Sequence, residues 1–405
     1  MNNSKRTRLP TVVEAQAIIL RTVPVLEAMA CPLAEALGGV LAEDVTADLD
    51  LPPFDCSAMD GYAVRAEDLG GVPIVLPILE QITAGIPPTH RIEPGMCAGI
   101  MTGAMVPEGA DAVVMVEDTE RVDDGHVRFL RPVGKRNIRA RGEEIGAGRV
   151  VLSKGAVVRP AEIGLLASVG RDPVRVIRRP TVAILATGDE LVDLSERPGS
   201  GQIRNSNGPT LLALCAQAGF QAASLGVAAD RLEDLEAGIR AGLAYDVLLV
   251  SAGVSVGEFD LVPRALAAVG AETHLHGVRV KPGKPVFFGV APGCVIYGLP
   301  GKPVSTIVAF GLFVLPGLRR MAGRADGLPA AVPAVMKKPF SKRPGRQQYE
   351  PAHVQRVGDH YEVEALPTHG SGDLVALCRA NALLVAPADR DVLPAGAPAD
   401  VMRIL

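Results

Sequence analysis

The sequence contains no tryptophan, and aromatic residues make up only 3% of its 405 residues. Aromatic platforms on which bases or sugars stack are therefore scarce. The formal net charge is −4, from 41 Lys and Arg against 45 Asp and Glu, so the chain lacks the basic excess with which proteins hold nucleic acids. These absences argue against a nucleic-acid partner.

Paired cysteines and uninterrupted apolar runs are also missing. The six cysteines, at positions 31, 56, 97, 215, 294 and 378, form no CxxC motif and no His/Cys cluster at metal-ligand spacing. The longest apolar stretch, residues 304–318, is broken by Ser305, Thr306, Gly311 and Pro316, and the first ten residues do not lead into the apolar run of a signal peptide. We therefore expect reduced thiols and a cytoplasmic protein without a membrane partner.

The length of the chain and the changes in its sequence pattern predict several domains. Thr11 and Glu14 form a capping-box pattern before apolar residues with helical spacing, and a helical pattern returns at residues 159–170. Short Val- and Ile-rich runs lie between them, which indicates an inserted β-rich domain. The predicted domains are a helical and linker domain (1–50 and 140–178), the inserted β-rich domain (51–139), an α/β domain (179–325) and a small C-terminal β-barrel-like domain (326–405).

The α/β domain is predicted from an alternation of strand, loop and helix that begins at residue 181. Asn207 is expected to precede one helix, with Pro209 in its first turn and Gly219 closing it. The capping-box pattern of Asp230 and Glu233 is expected to start another. Strands are expected at 181–187, 221–228, 246–253, 274–280, 285–290 and 294–299, with further helices over 260–269 and from Pro303. The alternation favours a doubly wound, mostly parallel sheet with helices on both faces.

Ligands of such sheets bind at the carboxyl ends of the strands, and the loops leaving these strands share one chemical character. They carry acidic residues, glycines and lysines: Asp189, Glu190, Asp230, Glu258, Asp260, Lys281, Lys284 and Lys302. The tetrapeptide PGKP occurs in two of them, at 282–285 and 300–303, although GLPGKPVS is not a Walker A loop. We expect both turns to lie on one rim of the sheet, where a polyphosphate would bind. Lysines and backbone N–H groups would contact its phosphate oxygens, and carboxylates would bind Mg²⁺.

Simpler interpretations of individual residues stay open at this point. Asp230 is equally well explained as a helix N-cap, and a surface lysine is usually just solvated. His274 and His276 share one face of a strand, but with no third ligand nearby a polar strand face explains them better than a metal site.

The motifs together resemble those of one family. ATGDEL, SAGVSVGEFD, KPGKP and GLPGKPVS, with PPFDCSAMDGYAV, GIMTGAMVPEGADAVVMVE and RARGEEI from the inserted block, are similar in kind and order to the signature loops of the molybdopterin molybdenumtransferase family, which comprises the bacterial MoeA proteins and the E domain of gephyrin. The resemblance spans most of the chain. It implies a four-part, elongated homodimer with sites shared between subunits and a molybdopterin-binding type of α/β domain.

The resemblance further implies a reaction: adenylylated molybdopterin and molybdate are joined, molybdenum enters the dithiolene, and AMP leaves with the help of Mg²⁺. The oxyanion could equally be tungstate. The residues implied as catalytic are Asp60, Thr102, Glu190 and Asp260; as substrate- or nucleotide-binding, Asp230, Ser251, Gly253, Ser255, Lys281, Lys284, Pro300, Gly301 and Pro303; and as metal ligands, Glu144, Glu190 and Asp260.

Four positions depart from the family's pattern. Cys56 stands where Asn is common and Glu144 where Asp is common, while Arg231 and Lys302 replace Asp and Asn respectively. Arg231 and Lys302 add positive charge to an anion site, and Glu144 adds one methylene to an expected metal ligand.

Two other functions stay open from the sequence. A molybdopterin adenylyltransferase would use a similar α/β domain but would not need the MDGYA and MTGA segments found here. A non-catalytic scaffold of the gephyrin kind would tolerate the loss of Asp60, Glu190 and Asp260, all of which are present.

Overall fold

The structure is a computed structural model, and it describes residues 8–254, 261–328 and 330–403. The chain forms two compact units. One comprises residues 1–30, 38–42 and 175–405, and the other residues 31–37 and 43–174. Each is considered by itself below. The division into four domains predicted above remains a prediction.

Residues 8–178 contain two α-helices and many short strands. The capping box predicted at Thr11 is confirmed, since its hydroxyl accepts from the Glu14 N–H at 3.2 Å and its N–H donates to the Glu14 carboxylate at 2.7 Å. The elements are α1 (Val12–Thr22), β1 (Ala28–Cys31), β2 (Val45–Thr46), β3 (Cys56–Ser57), β4 (Gly61–Val64), β5 (Ile74–Ile82), β6 (Cys97–Ile100), β7 (Ala112–Met115), β8 (Thr119–Arg121), β9 (His126–Phe129), β10 (Ile138–Arg139), β11 (Val150–Leu152), α2 (Pro160–Ser168) and β12 (Val174–Ile177).

The inserted segment forms a six-stranded sheet of its own, in the order β7-β4-β6-β5-β9-β8. Its side chains make two apolar clusters, one around Val64, Leu76 and Phe129 and the other around Ala63 and Ile82. The neighbouring residues Ala63 and Val64 belong to different clusters because successive side chains of a strand point to opposite faces.

The α/β segment follows the predicted alternation. Its elements are β13 (Val182–Thr187), β14 (Leu191–Val192), β15 (Ile203–Arg204), α3 (Asn207–Gln217), β16 (Ala222–Ala228), α4 (Leu232–Gly242), β17 (Val247–Ser251), α5 (Val262–Ala268), β18 (Glu272–His276), β19 (Val280–Lys281), β20 (Phe287–Ala291), β21 (Cys294–Leu299), α6 (Pro303–Ala309) and α7 (Leu315–Met321).

The main sheet of this segment runs in the order β16-β13-β17-β21-β20-β18. The first four strands are parallel to one another, β20 pairs antiparallel with β21, and β18 pairs antiparallel with β20. Ile184, Leu249 and Tyr297 pack toward α3, α6 and α7, whereas their neighbours Leu185, Leu248 and Ile296 pack toward α4 and α5. Helices therefore cover both faces, and the doubly wound, mostly parallel sheet is confirmed.

The C-terminal segment is a mainly β structure. Its elements are β22 (Ala331–Met336), β23 (Phe340–Ser341), β24 (Gln347–Val357), β25 (His360–Ala365), α8 (Leu374–Arg379), β26 (Ala382–Ala386), β27 (Val392–Leu393) and β28 (Pro398–Arg403). Six strands, including β19 from the preceding segment, make one sheet in the order β19-β24-β25-β22-β28-β26, and β24 also pairs with β26. The multidomain fold class predicted from the sequence is confirmed.

Three local predictions need correction. The N-cap of α4 is Arg231 and not Asp230. Asn207 is the first residue of α3 instead of preceding it. The segment KPGKP does not leave a strand of the parallel sheet, since Lys281 belongs to β19 and pairs with Gln348 of β24. The C-terminal sheet therefore positions this turn.

The helical run Pro303–Met321 is the apolar element of greatest length. By length and composition it could cross a membrane, but 83% of its most apolar window is buried inside the fold, as in the core helix of a soluble protein. It contains one wider turn, Phe310–Val314. The side-chain amide of the buried Gln16 donates to the Leu312 carbonyl at 3.0 Å, which satisfies a backbone group in this turn.

A buried polar atom faces this helical run. Tyr297 is fully buried, and its hydroxyl finds no hydrogen-bond partner in the described structure. A Cβ added to Gly317 would lie 2.0 Å from that hydroxyl oxygen. Glycine at 317 thus makes room for the tyrosine.

We predict a coupled effect of these two residues on stability. Gly317→Ala should lower the free energy of unfolding by about 1–3 kcal/mol because the new methyl group overpacks the hydroxyl. Tyr297→Phe should be nearly neutral, since the lost hydroxyl was unpaired, and should relieve most of the Gly317→Ala cost. Urea denaturation of both single variants and the double variant measures this coupling, and an equal cost of Gly317→Ala in both backgrounds would contradict it.

Candidate functional site

Both PGKP turns line one large cavity, as the repeated tetrapeptide suggested. The cavity measures about 860 Å³ and is bordered by Lys281 and Lys284 from the first turn and by Pro300, Gly301 and Lys302 from the second. We call it the cationic cavity. The three lysine side chains carry positive charge to its wall, so the arrangement suits an anionic ligand.

The C-terminal segment completes this cavity with residues that the sequence analysis missed. They are Arg346, Tyr349 and Glu350 near the start of β24, and His369 and Ser371 in the loop before α8. The glycine-rich character of THGSGD and the arginine beside a glycine in PGRQQYE are the same kind of signal that identified the other loops. Neither segment follows a predicted parallel strand, so the rule that ligands bind at the carboxyl ends of such strands does not point to them.

Hydrogen bonds tie the Ser371 loop to the second PGKP turn. The Val304 N–H donates to the Ser371 carbonyl at 3.1 Å. Asp373, the N-cap of α8, accepts from the N–H groups of Ala376 and His369, both at 3.0 Å. Those two backbone hydrogen bonds lower the pKa of its carboxyl to about 2. The loop is therefore held in place before any ligand binds.

A second cavity, of about 320 Å³, opens at the carboxyl ends of the parallel strands. Its wall includes Thr187 and Glu190 after β13, Asn207 at the start of α3 and Ser251 at the end of β17. We call it the strand-edge cavity. Gly301 and Lys302 line both cavities. The predicted single rim is therefore two adjacent cavities that share one turn, with Glu190 in one and the Lys281–Lys284 pair in the other.

Asn207 connects three of the loops around the strand-edge cavity. It is 8% exposed, and its side-chain NH₂ group donates to the Ser251 hydroxyl at 2.9 Å and to the Gly301 carbonyl at 2.8 Å. Its carbonyl oxygen is buried and has no partner in the described structure. The amide thus links the ends of β17 and β21 to the first turn of α3.

Two backbone features shape the strand-edge cavity. Gly188 has a φ of +139°, and a Cβ there would lie 2.4 Å from the Glu190 carboxylate, so the carboxylate folds over a position that only glycine permits. Ala252, which also lines the cavity, has a φ of +80°. Non-glycine residues adopt this conformation at a cost and chiefly at functional sites.

The predicted residues of the inserted block meet at one end of two paired strands. Gly61 of β4 pairs with Ile100 of β6, which brings Asp60 and Thr102 together just beyond the pair. The Asp60 carboxylate accepts from the Thr102 N–H at 2.7 Å and from its hydroxyl at 2.9 Å. These hydrogen bonds lower the pKa of Asp60, so an exposed carboxylate is held charged and oriented.

Glu144, a predicted metal ligand, is occupied by an ion pair. Its carboxylate bonds to the guanidinium of Arg139, which also pairs with Glu143. The hydrogen bond to Glu143 and the charge of Glu144 raise the pKa of Arg139. A cation would have to compete with this arginine for Glu144.

Several predicted residues lie elsewhere or outside the described chain. Asp260 and Ser255 fall outside the described residues. Asp230 is exposed and its N–H donates to Asp189 at 3.0 Å, but it does not line either cavity. Gly253, with a φ of +64°, packs against Val262 and Thr187, so its role is in the loop backbone.

The histidines of β18 serve packing and one backbone contact. The His276 ring N–H donates to the Val254 carbonyl at 3.0 Å, and the His274 ring lies beside Phe288. Across residues 8–254, 261–328 and 330–403, no three His, Cys, Asp or Glu side chains are grouped to hold a metal. His274 and His276 thus make packing and backbone contacts on this strand.

The cysteines are not part of either cavity. Cys97, Cys215 and Cys294 are buried, and burial raises the pKa of each thiol to about 12. A thiol in that state is a poor nucleophile near neutral pH. Cys31 and Cys56 are also buried, whereas Cys378 is exposed, and all six side chains are thiols.

Comparisons with known proteins agree with this geometry. Residues 10–170 match the family described as MoeA N-terminal region (domain I and II), residues 183–320 the probable molybdopterin binding domain, and residues 333–404 the MoeA C-terminal region (domain IV). The fold and these matches define a protein of the molybdopterin-binding α/β class with additional β domains.

Relatives match over almost the whole chain. A molybdopterin molybdenumtransferase of Staphylococcus aureus is 34% identical over 98% of this chain and 96% of its own length, and one of Nostoc is 35% identical over 98% and 94%. The crystal structure of the molybdopterin biosynthesis MoeA protein of Pyrococcus horikoshii superposes with a TM-score of 0.81 at 30% identity, over 98% of this chain and all of that one. The chain belongs to the molybdopterin molybdenumtransferase family and is a transferase of molybdenum cofactor biosynthesis.

We predict that Asn207 tolerates alanine better than the nearly isosteric aspartate. Asn207→Ala removes two hydrogen bonds and should cost about 1–3 kcal/mol of unfolding free energy. Asn207→Asp should cost more at neutral pH, because a buried carboxylate would face the Gly301 carbonyl without a donor. Its cost should shrink in mild acid, where the protonated carboxyl can donate. Urea denaturation at two pH values checks this, and Asn207→Asp as stable as wild type at neutral pH would contradict it.

Proposed function

We propose that this protein inserts molybdenum from molybdate into adenylylated molybdopterin and releases AMP in a Mg²⁺-dependent reaction. The observation that supports this most directly is the pair of adjacent cavities joined by the Gly301–Lys302 turn. One cavity offers a carboxylate, hydroxyls and backbone at a strand edge, and the other offers lysines and an arginine. A substrate that carries a nucleotide part and an anionic metal-accepting part needs both cavities.

The strand-edge cavity suits the adenylyl and phosphate part of the substrate. It lies at the carboxyl ends of parallel strands, where open α/β sheets bind nucleotides, and Lys302 at its edge can neutralise a phosphate oxygen. The cationic cavity suits molybdate, since Lys281, Lys284 and Arg346 present N–H donors to a tetrahedral dianion. The ligand would cross the shared turn.

Mg²⁺ fits the residues present only as an ion held largely by the substrate. Among the described residues, Glu190 is the one carboxylate on the strand-edge cavity, and Mg²⁺ is commonly bound by one or two carboxylates together with substrate phosphates. We propose Glu190 and Asp260 as those ligands. When bound, Mg²⁺ would neutralise charge that develops on the pyrophosphate oxygens.

The residues of this chain would then have separate roles in the reaction. Lys281 and Lys284 orient molybdate, Asn207 holds the shared turn, and Asp60 with Thr102 places molybdate or water for attack. The protein is proposed to act in the cytoplasm. The test is direct: the purified protein is incubated with adenylylated molybdopterin, Mg²⁺ and molybdate, and AMP release is measured. No AMP release beyond the rate without protein would overturn the proposal.

We predict that the lysines of the first PGKP turn are needed for turnover. Lys284→Ala should slow AMP release by about 10²–10³, the usual cost of removing one preorganised electrostatic group. Lys338→Ala is the matched control, because Lys338 is an exposed lysine whose ion pair is with Glu364 of the C-terminal sheet. Initial rates and melting temperatures are measured together. A Lys284→Ala protein as fast as the control would contradict the assignment.

The resemblance also implies a homodimer with sites shared between subunits, which we propose here. Asp60→Ala and Asp260→Ala proteins, each expected to be nearly inactive, are mixed and allowed to exchange subunits. About half of the dimers are then mixed, and each carries one intact site, so about a quarter of all sites should work. Mass spectrometry confirms the exchange. Activity that stays at the parental level after exchange would place each site within one chain.

A further inference from the structure

Glu350 is an acidic side chain on the wall of a cavity that is otherwise suited to anions. It belongs to β24 and lines the cationic cavity with Lys281, Lys284 and Arg346. A permanently charged carboxylate there would repel a dianion, so its presence requires an explanation. The surroundings of the side chain supply one.

The Glu350 carboxyl is half-buried and firmly oriented. Gln348, two residues earlier on the same strand and 4% exposed, donates its side-chain N–H to the Glu350 carboxylate. Residues two apart on a strand share a face, so this hydrogen bond fixes where the carboxyl points. Glu350 is therefore a built part of the wall and not a loose surface group.

Burial raises the pKa of Glu350 above its usual range, although the hydrogen bond from Gln348 and the charge of Lys281 act in the opposite direction. The other titratable groups on the cavity wall are Lys284, Lys302, Arg346, His369 and Tyr349. Lysine and arginine are already protonated near neutral pH. Glu350 is therefore the carboxyl on this wall that can gain a proton.

A dianion in the cavity changes the balance at Glu350. It adds negative charge near the carboxylate and competes for the lysine that now stabilises it, and both effects favour the protonated form. A protonated carboxyl also becomes an O–H donor. We propose that Glu350 takes up a proton when an oxyanion binds in the cationic cavity, and that its carboxyl then donates a hydrogen bond to that oxyanion.

This inference rests on the proposed anion-binding function of the cavity. It has a measurable consequence, because a bound proton that is required for binding makes affinity fall as pH rises. Above the pKa of the free carboxyl, affinity should fall by up to about tenfold per pH unit, until the pKa of the complex is reached. Protonation thus tunes oxyanion affinity in this chain.

The test uses tungstate and sulfate as oxyanion probes with the full-length protein. Sulfate keeps its double charge except in strong acid, so a proton that is taken up from the buffer when sulfate binds must be bound by the protein. Calorimetric titration in two buffers of different ionisation enthalpy gives the number of protons bound per oxyanion. We expect uptake of up to one proton for wild type, and none for Glu350→Gln, whose affinity should also be nearly independent of pH.

Two further variants separate the possible causes. His369→Gln removes the imidazole of the wall and should retain the proton uptake. Gln348→Leu removes a hydrogen bond that favours the charged carboxylate, so the pH at which affinity declines should move upward with Glu350 intact. This second shift keeps the proposal testable if Glu350→Gln does not fold.

The outcomes distinguish this inference from the function on which it depends. Oxyanion binding that Lys281→Ala and Lys284→Ala weaken, with proton uptake unchanged in Glu350→Gln or lost in His369→Gln, overturns the role of Glu350 alone. An unmoved pH profile in Gln348→Leu does the same. Wild-type protein that binds neither tungstate nor sulfate overturns the cationic cavity as an anion site, and this inference with it.

Discussion

The turn Pro300–Pro303 is the constraint on which both cavities depend. It follows the fully buried strand β21 and begins the buried helical run Pro303–Met321. Thr306, itself buried, donates its hydroxyl to the Pro300 carbonyl at 2.6 Å, and Asn207 donates to the Gly301 carbonyl at 2.8 Å. With a strand on one side, a helix on the other and a donor on each carbonyl, the turn has little freedom to move.

This rigidity has a chemical purpose. Gly301 and Lys302 form part of the wall of both cavities, so a shift of the turn would change the two sites together. Gly301 leaves room beside Ala252, whose Cβ would come within 3.1 Å of a side chain there. A preorganised wall loses less entropy when the ligand binds.

The two cavities differ in charge, and the difference comes from which segment supplies each wall. Carboxylate, hydroxyl and amide groups come from the strand ends of the parallel sheet, whereas the cations of KPGKP and Arg346 are positioned by the C-terminal sheet. The pairing of Val280 and Lys281 with β24 joins the two segments at this point. A chain that carried the α/β fold alone would have the first cavity and only part of the second.

The amino-acid sequence by itself determined the elements and their order. The periodicity around α1, α3 and α4 predicted the helices, the continuous apolar runs predicted buried strands, and the motifs indicated the family. The acidic and lysine-bearing loops were correctly placed near strand ends at Glu190, Ser251 and Gly301. These features are local, so spacing along the chain is enough to predict them.

Only the tertiary structure decided which loops line which cavity and which further residues complete the cavity walls. Lys281 pairs with the C-terminal sheet, and Arg346 and Glu350, near the start of β24, line the same cavity as Lys281. Asn207, which the sequence related only to a helix start, also links two strand ends by hydrogen bonds. Residues 281 and 346 are far apart in sequence, and their contact depends on a strand pairing between segments that no periodicity records. The pKa of Glu350 likewise depends on burial, which arises only when the wall around it has formed.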